Sequence, residues 1–324
     1  MKIIDLFSGI GGFALGFQRA GYQFTEHYFS EIDKHAIANY KHNFPHAKYI
    51  GDITTLHGGD FRDIDIITFG SPCQNFSTAG RREGLKGAKS SLIQHAIALI
   101  AQLRPSVFVW ENVKGAFSSN AGADFWAILQ AFANIGGYRL EWQLLNTSWV
   151  LPQNRERIYL IGHLAGRSVP GVFPIGENDK LLDRKTRKEN RKRTSIKTSL
   201  ARTITARYSK MGSNDTYIVP KVAATLTGGG HLGGLHSDMT VIRHKRGRNK
   251  GVRRLTEIEC ERLQGFPDNW TQYGNYDGVI KPIAKTQRYK LIGNAVTVDI
   301  VELIAKRLKF IVDEFTPYTH EKLV

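Results

Sequence analysis

The chain has 324 residues, of which 41% are hydrophobic and 23% charged, and this composition is typical of a globular protein rather than a disordered one. Lysine and arginine number 45 against 29 acidic residues, and the net charge of +16 favours a polyanionic partner such as nucleic acid over a merely basic surface. Two cysteines are too few for a disulfide framework, and no apolar run reaches the ~18 residues of a membrane span, so we expect a cytoplasmic protein.

Up to residue 165 the sequence alternates strand-like and helix-like segments. The predicted strands, in chain order, are KIIDLF, HYFSEI, AKYIGDI, IDIITFG, PSVFVWEN, YRLEWQLLN and RIYLIGHL. The predicted helices between them are GFALGFQRAG, DKHAIANYKHNF, SLIQHAIALIAQL and DFWAILQAFANIG. This alternation predicts an α/β fold with a doubly wound, mostly parallel sheet, in which ligands bind at the carboxyl ends of the strands.

The alternation stops at residue 166. Residues 166–252 are rich in glycine, serine, threonine and basic side chains. Within them, the run 184–197 holds eight basic residues and one acid, and the run from 243 to 254 holds seven basic residues and no acid. Runs this dense either contact a polyanion or form a solvated tail.

The end of the sequence returns to a helical pattern. It predicts a helix over 295–315, with one apolar face formed by Val298, Val301, Ile304, Leu308 and Ile311. A smaller domain inserted before a returning helix fits this arrangement. We therefore predict a catalytic domain formed by residues 1–165 plus 285–324, and an inserted domain over 166–284.

A glycine-rich turn, FSGIGG, lies between the first predicted strand and the first predicted helix, at residues 7–12. Such a turn lets a ligand approach the backbone at a helix N-terminus, although many turns of this kind are only tight loops. Glu31 follows about 20 residues later at the end of the second strand, where an acid can bind ribose hydroxyls. Asp52 ends the third predicted strand. Two acids favour a nucleoside without extra phosphates, such as S-adenosylmethionine, over NAD.

Cys73 lies in GSPCQNFS, residues 70–77, where a predicted strand ends and a loop begins. A free cysteine is more often a small buried hydrophobe than a nucleophile. Cys260, inside the helical stretch LTEIECERLQGF, fits that interpretation. Cys73 instead lies at the mouth of the predicted cleft, and we interpret it as a nucleophile that needs a lowered pKa or a neighbouring base.

Two further motifs bring charged side chains to the same rim. Glu111, in WENVKG, is a candidate general acid, with a helix cap or a surface acid as the alternative. Arg155 and Arg157, in QNRER, lie on one face of an extended segment. These arginines could bind a polar ring edge or a phosphate. Alternatively, they could form a structural ion pair with Glu111 or another acid.

Taken together, these motifs resemble those of the bacterial and phage DNA cytosine-5 methyltransferases. The matching segments, in the family's order, are DLFSGIGG, FSEID, GDIT, GSPCQNFS, ENVKG, PQNRERIYLIG, RRLTEIECERLQGFPDNW and YKLIGNAVTVDIV. They cover nearly the whole chain except residues 166–252. The resemblance implies a Rossmann-like methyltransferase domain with an inserted target recognition domain.

The resemblance also implies a covalent reaction on a cytosine that is flipped out of duplex DNA. Cys73 would attack C6 while Glu111 hydrogen-bonds or protonates N3, and loss of the C5 proton after methyl transfer would release the thiol. Arg157 would hold the cytosine, and Arg155 would support the pocket.

By the same resemblance, the methyl donor would be S-adenosyl-L-methionine, released as S-adenosyl-L-homocysteine. The donor would lie against the glycine-rich turn, with Glu31 on its ribose and Asp52 and Ile53 at its adenine. Ile32 stands where relatives often carry a large aromatic side chain, so the adenine packing would be looser. The complete set of implied cofactor residues is Phe7, Gly9, Gly11, Glu31, Ile32, Asp52, Ile53, Pro72, Asn294 and Val296.

The implied contacts with double-stranded DNA lie in two regions. Gln74 and Ser77 belong to a loop that would close over the DNA. Thr225-Leu226 resembles the Thr-Leu pair of the family's recognition domain, although Thr203-Ile204 competes for that role, and the basic runs, with Arg253, would contact phosphates. The expected partners are DNA and, as a separate protein, a cognate restriction endonuclease; a monomer without a membrane or metal site is expected.

Other functions remain as alternatives. An RNA cytosine-5 methyltransferase would use the same cysteine chemistry on transfer RNA, but a large, basic, glycine-rich variable region favours DNA. A catalytically silent DNA-binding regulator would not need Cys73, Glu111 and Arg157 together. A nicotinamide oxidoreductase leaves Cys73 and the basic insert unexplained, and an enzyme of adenine N6 or cytosine N4 would carry an Asp/Asn-Pro-Pro-aromatic motif in place of GSPCQ.

Overall fold

A computed structural model of the chain describes residues 1–71, 92–176, 223–224, 241–243 and 252–311. The strands in these residues are β1 Lys2–Leu6, β2 Glu26–Ser30, β3 Lys48–Tyr49, β4 Ile66–Gly70, β5 Val107–Val113, β6 Tyr138–Asn146, β7 Gln153–Asn154, β8 Glu156–Leu164, β9 Ser168–Val169, β10 Ala223–Ala224, β11 Val241–Arg243, β12 Val252–Arg254, β13 Tyr273–Tyr276, β14 Val279–Pro282 and β15 Lys309–Phe310. The α-helices are α1 Gly12–Arg19, α2 Lys34–Asn43, α3 Leu92–Leu103, α4 Gly115–Ser118, α5 Ala123–Ala133, α6 Glu257–Leu263, α7 Lys285–Asn294 and α8 Val298–Arg307.

Seven strands form one sheet in the order β3-β2-β1-β4-β5-β8-β6. The first five of these are parallel to their neighbours, and β8 runs antiparallel between β5 and β6. The register pairs Leu6 with both Ser30 and Phe69, and Gly70 with Glu111. The carboxyl ends of β1, β2, β4 and β5 therefore lie along one edge. The predicted doubly wound, mostly parallel α/β fold is confirmed.

The central strands are buried on both faces. In β5, Val107 and Val109 contribute to one core with α1 and α8, while Phe108 and Trp110 contribute to another with α3 and α5. Because successive side chains of a strand point to opposite faces, an unbroken apolar run such as VFVW fits a strand covered by helices on both sides. The same sandwich holds the carboxyl edge of the sheet rigid.

A third core joins the glycine-rich turn to the later part of the chain. It packs Ile10 and Ala36 against Leu255, Leu263 and other apolar residues of 255–298. Val172 and Ile175 likewise pack into the core that contains α1 and α8. Val172 and Ile175, near the first predicted boundary of the inserted domain, and Leu255 and Leu263, within that domain, thus contact the sheet-bearing part of the chain. The division into two domains stays a prediction.

The predicted C-terminal helix over 295–315 is too long. Helix α8 ends at Arg307, and Leu308 turns into an extended backbone conformation. The following strand β15 pairs antiparallel with Ser168–Val169 instead of continuing the helix. Leu308 is still buried, which explains the helical apolar spacing, but Ile311 is 46% exposed. Residues 312–315 lie outside the described residues.

The third strand is also shorter than its predicted segment AKYIGDI. Strand β3 covers only Lys48–Tyr49, and a 3-10 turn follows at Ile53–Thr55. Asp52 therefore caps this turn rather than ending a strand. Within the described residues, no helix has the length and apolar character needed to cross a membrane.

A series of buried, hydrogen-bonded polar side chains links strands β1, β2 and β4 to helix α2 beneath the glycine-rich turn. The carboxyl oxygens of Asp5 accept hydrogen bonds from the Thr68 hydroxyl, at 2.9 Å, and the Tyr40 hydroxyl, at 3.1 Å. The Tyr40 hydroxyl also lies 2.7 Å from His27 Nε2. Burial raises the pKa of Asp5 to about 8 and lowers the pKa of His27 to about 4. Both groups are therefore neutral in the folded protein at pH 7.

We expect Asp5→Asn to reduce the loss of stability that occurs as the pH rises. An aspartate is ionised above its ordinary pKa of 3.8 in the unfolded chain, whereas the folded protein keeps Asp5 protonated up to about pH 8. Folding therefore takes up a proton between these values, and rising pH favours unfolding. Asparagine cannot ionise, and its amide can donate to the Tyr40 hydroxyl.

Urea denaturation of the wild type and of Asp5→Asn at pH 5, 6.5 and 8 measures this effect. The free energy of unfolding of the variant, relative to the wild type, should increase with pH. Comparing the two proteins at each pH cancels the contribution of His27, and Asp60→Asn, at an exposed acid, controls for the substitution itself. A pH-independent difference between the Asp5 variant and the wild type would contradict the prediction.

Candidate active site

The glycine-rich turn adopts backbone conformations that favour glycine. Gly9 and Gly11 have φ values of +54° and +82°, and Phe7 has +50°. A Cβ on Gly11 would lie 2.3 Å from the Phe44 ring, and one on Gly12 would lie 2.6 Å from Val296 Cγ2. The turn therefore needs glycine both for its backbone conformation and for close packing against α2 and the segment before α8.

Glu31 lies directly across from this turn at the end of β2. Its Oε2 accepts a hydrogen bond from Gly9 N at 2.9 Å. Its Oε1 accepts from Ile32 N at 2.7 Å and from Asp33 N at 3.0 Å. Three backbone amides thus hold the carboxylate, and the glycine-rich turn lies beside it as predicted. Ile32 is 73% exposed, so its side chain is free to cover a ligand next to Glu31.

Asp52 reaches the same edge through the loop after β3. The Ser30 hydroxyl donates to Gly51 O at 2.7 Å, which ties this loop to the end of β2. The Asp52 carboxylate accepts from Thr54 N at 3.0 Å and caps the 3-10 turn. Ile53 is buried in the core that contains Leu6 and Phe69. The structure therefore brings Glu31, Asp52 and Ile53 together with the glycine-rich turn.

Glu111 and Arg157 form a buried ion pair at the carboxyl end of β5. Arg157 Nε lies 3.0 Å from Glu111 Oε1, and both side chains are about nine-tenths buried. The contact lacks the alignment of a hydrogen bond, so within the described residues Glu111 Oε1 has no hydrogen-bond donor. A Cβ on Gly70 would lie 3.2 Å from Glu111 Oε2, so the carboxylate lies against the residue that precedes the Cys73 segment. Glu111 is neither a helix cap nor a surface acid.

Arg155 contacts a different partner. Its Nη2 donates to Ala295 O at 2.8 Å, and its Nη1 lies 3.5 Å from Gly293 O. These carbonyls belong to the end of α7 and to the turn between α7 and α8, a segment that also carries the predicted cofactor residues Asn294 and Val296. Asn294 is exposed, whereas Val296 is buried against the glycine-rich turn. Arg155 therefore supports this turn, while Arg157 holds Glu111.

Several predicted site residues lie outside the described residues. They are Pro72, Cys73, Gln74, Ser77, Thr225 and Leu226, together with the competing pair Thr203-Ile204. Arg253 lies in β12, where its backbone pairs with Ile242. These residues keep the status of predictions.

Ser71, the last described residue before the Cys73 segment, is anchored by two side chains. Its hydroxyl accepts from Trp110 Nε1 at 3.0 Å and from Asn112 Nδ2 at 3.2 Å. Both donors belong to β5, on either side of Glu111. The start of the segment that carries Cys73 is therefore attached to the strand that carries Glu111. Sequence reasoning missed Ser71, although its place inside GSPCQNFS offered the signal.

Cys260 has the surroundings of a core residue. It lies in α6, is fully buried and packs with Leu255, Leu263 and Leu291. Burial, reinforced by the negative charges of Glu259 and Glu261, raises the pKa of its thiol well above the usual value. A thiol in this environment is a poor nucleophile.

The sequence and fold match a known family of enzymes. The model of the family described as C-5 cytosine-specific DNA methylase matches residues 1–310. The Type II methyltransferase M.Bsp6I of Bacillus sp. (strain RFL6) is 31% identical over 331 residues, covering 95% of this chain and 98% of that protein. The Type II methyltransferase M.NgoBI of Neisseria gonorrhoeae is 33% identical over 322 residues, covering 94% and 92%.

Solved structures share the fold at lower identity. The Dnmt2 methyltransferase of S. pombe superposes with a TM-score of 0.65 at 21% identity, covering 94% of this chain and 97% of that chain. The Entamoeba histolytica methyltransferase EhMeth gives a TM-score of 0.61 at 17% identity, covering 94% and 96%. These likenesses concern the fold alone.

We expect Ser71→Ala to destabilise the protein, and Ser8→Ala to leave its stability nearly unchanged. Both serines are buried, at 8% and 7% exposure. Removing the Ser71 hydroxyl leaves the buried donors of Trp110 and Asn112 without their acceptor, which costs about 1–3 kcal/mol. The Ser8 hydroxyl has no hydrogen-bond partner among the described residues. Urea denaturation measures both values, and equal losses for the two variants would contradict the anchoring role of Ser71.

Proposed function

The chain belongs to the C-5 cytosine-specific DNA methylase family and is a DNA (cytosine-5) methyltransferase, and we propose that it uses S-adenosylmethionine and a covalent Cys73 intermediate. The observation that carries this proposal is the buried Glu111–Arg157 pair beside Gly70, at the edge of the sheet where Glu31 meets the glycine-rich turn. This arrangement places Glu111, which would act on the cytosine, and Glu31, which would bind the cofactor, along one edge of the sheet.

The residues present fit an adenosyl cofactor. Glu31 Oε2 accepts a hydrogen bond from Gly9 N and keeps a lone pair for a ribose hydroxyl. Within the part of the chain that the structure describes, a Cβ on Gly9 would meet no atom within 4 Å, which leaves open space beside this part of the turn. The exposed Ile32 offers an apolar surface for adenine, and Asp52 lies in the adjoining loop.

When bound, S-adenosylmethionine supplies an electrophilic methyl group. In the proposed site, Phe7, Gly9 and Gly11 would line its approach, Glu31 would bind the ribose, and Ile32, Asp52 and Ile53 would surround the adenine. Pro72, Asn294 and Val296 would complete the enclosure. Shape and hydrogen bonding would thereby orient the methyl group toward the base.

The base reacts through Cys73 in this proposal. The Cys73 thiolate forms a bond to C6 of the flipped cytosine, and Glu111 hydrogen-bonds or protonates N3, so that electron density reaches C5. Once C5 has accepted the methyl group, with S-adenosylhomocysteine as the leaving group, a base removes the C5 proton. The C5–C6 double bond re-forms as the bond from Cys73 to C6 breaks, and a proton given to N3 returns to Glu111. Arg157 holds Glu111 and the cytosine in place, and Arg155 supports the wall behind them.

For DNA recognition we propose the inserted domain over residues 166–284, with the catalytic domain formed by 1–165 plus 285–324. Thr225 and Leu226 would contact bases, Gln74 and Ser77 would close over the strand, and Arg253 would contact phosphate. The net charge of +16 supports a duplex DNA substrate. Relatives named Type II methyltransferases support a role beside a separate restriction endonuclease. The proposal also takes the enzyme to be cytoplasmic and monomeric.

We expect Cys73→Ala to abolish methyl transfer. The wild type, given S-adenosylmethionine with a labelled methyl group, should label C5 of cytosine in duplex DNA, and bisulfite sequencing should locate the modified site. The variant should transfer no label because no bond to C6 can form. Cys260→Ala is the matched control and should retain activity, since Cys260 lies in the core. Label in transfer RNA alone would transfer the assignment to an RNA methyltransferase.

We expect Glu111→Gln to slow the chemical step while the protein still binds both substrates. Loss of a positioned general acid typically reduces the rate about 10²–10⁴-fold. Glu156→Gln, the same substitution at a partly exposed acid that pairs with Lys114, should leave the rate within about threefold because surface pairs contribute little. Single-turnover rates and DNA binding measure the two effects. Equal rates for both variants would refute the role of Glu111.

A further inference from the structure

Gln264 is a fully buried amide at which four segments of the chain meet. Its Nε2 donates to Ile292 O and Ala295 O, each at 3.2 Å. Its Oε1 accepts from Gln153 Nε2 at 3.1 Å and from Thr297 Oγ1 at 3.0 Å. Two donors and two acceptors are the full capacity of a glutamine amide, so every position is used. The two carbonyl partners fix which end of the amide is nitrogen.

Three of these four bonds hold one short segment, residues 292–297, which comprises the end of α7 and the turn before α8. In addition to the side-chain bonds, Gln264 O accepts from Val298 N at 2.9 Å, so Gln264 contacts this turn along its whole length. The Thr297 hydroxyl continues the network to Thr147 Oγ1 at 2.8 Å. Ala295 O also accepts from Arg155 at 2.8 Å. A polar network that is this complete gives its members one arrangement.

Val296, on this turn, lies against the glycine-rich turn and the end of β4. Val296 packs so closely on the glycine-rich turn that a Cβ on Gly12 would overlap its Cγ2, at 2.6 Å. Its Cγ1 lies 4.0 Å from where a Cβ on Gly70 would be, next to Glu111. The position of Val296 therefore determines the width of the gap between the glycine-rich turn and the end of β4.

We propose that Gln264, through Thr297, is a positioning residue for the methyl-donor site. It contacts neither donor nor base, and it acts by holding Val296 and Asn294 at the distance at which the site accepts S-adenosylmethionine. This inference rests on the proposed use of S-adenosylmethionine. It predicts an effect on cofactor affinity that exceeds any effect on DNA affinity or on the chemical step.

The decisive variant is Gln264→Met, which keeps the side-chain length and removes all four hydrogen bonds. Isothermal calorimetry with S-adenosylhomocysteine should show a dissociation constant raised about tenfold or more, because buried partners lose their bonds and the turn shifts. The dissociation constant for duplex DNA and the single-turnover rate at saturating S-adenosylmethionine should change less than about threefold, since neither Cys73 nor Glu111 has been altered.

Gln143→Met is the matched control for general destabilisation. Gln143 lies in β6 at the far edge of the sheet, and its amide exchanges two 2.8 Å hydrogen bonds with the backbone of Ile175. The same substitution there removes amide-to-backbone bonds away from the cleft. It should lower the melting temperature and leave the dissociation constant for S-adenosylhomocysteine unchanged.

Thr297 provides a second test should Gln264→Met fail to fold. Thr297→Ser keeps the hydroxyl and should bind S-adenosylhomocysteine as the wild type does. Thr297→Val removes only the hydroxyl, and because the hydroxyl of Thr297 makes no capping bond to α8, a raised dissociation constant would come from the network. That pattern, with the unaffected Gln143→Met control, would support the proposal.

Two results would overturn it, and they differ. If the wild type binds S-adenosylhomocysteine and both Gln264→Met and Thr297→Val bind it equally well, Gln264 has only a structural role and the proposed function stands. If the wild type itself binds neither S-adenosylhomocysteine nor S-adenosylmethionine, both the proposed function and this inference are wrong.

Discussion

The close packing of Val296 on Gly12 is the contact on which the rest of the site depends. It joins the first turn of the sheet to a segment almost 300 residues later, with no room for even a methyl group between them. Because side chains in protein interiors interdigitate without gaps, a contact this tight transmits any shift of one partner to the other. The glycine-rich turn, the end of β4 and the turn before α8 therefore form one rigid frame around the cleft.

Buried polar side chains fix the relative positions of the segments that form this frame. Glu261 accepts hydrogen bonds from the Thr271 hydroxyl and backbone and pairs with Arg288 at 3.0 Å, while Gln264, three residues on, holds the turn before α8. Burying such groups is unfavourable unless each finds its partners, so a nearly satisfied network disfavours alternative packings of the same apolar residues. Glu111 differs from these groups, since one of its oxygens lacks a hydrogen-bond donor among the described residues. An incompletely satisfied buried acid is suited to receive a polar group of a substrate.

Much of the sheet was predictable because apolar runs such as IDIITF and VFVW have few alternatives once helices alternate with them. The ends of elements were harder to predict. The spacing that extended the last helix to residue 315 came from Leu308, which is buried beyond the helix because β15 pairs with β9. Asp52 caps a 3-10 turn rather than ending a strand, yet it reaches the predicted edge. The spacing of apolar residues indicates whether a residue is buried. Its contacts in the tertiary structure determine which backbone conformation it adopts.

The sequence by itself determined the order of strands and helices, the glycine-rich turn and the acids that follow the strands, since these depend on periodicity and on the nature of the side chain. It left open which arginine would pair with Glu111. Arg155 and Arg157 are two residues apart on one face of an extended segment, and either could bind a ligand or form a structural ion pair. The tertiary structure decided that Arg157 pairs with Glu111 and that Arg155 reaches Ala295 O. It alone revealed Gln264 as a junction, because its partners are distant in sequence and meet only when α6, α7 and α8 pack together.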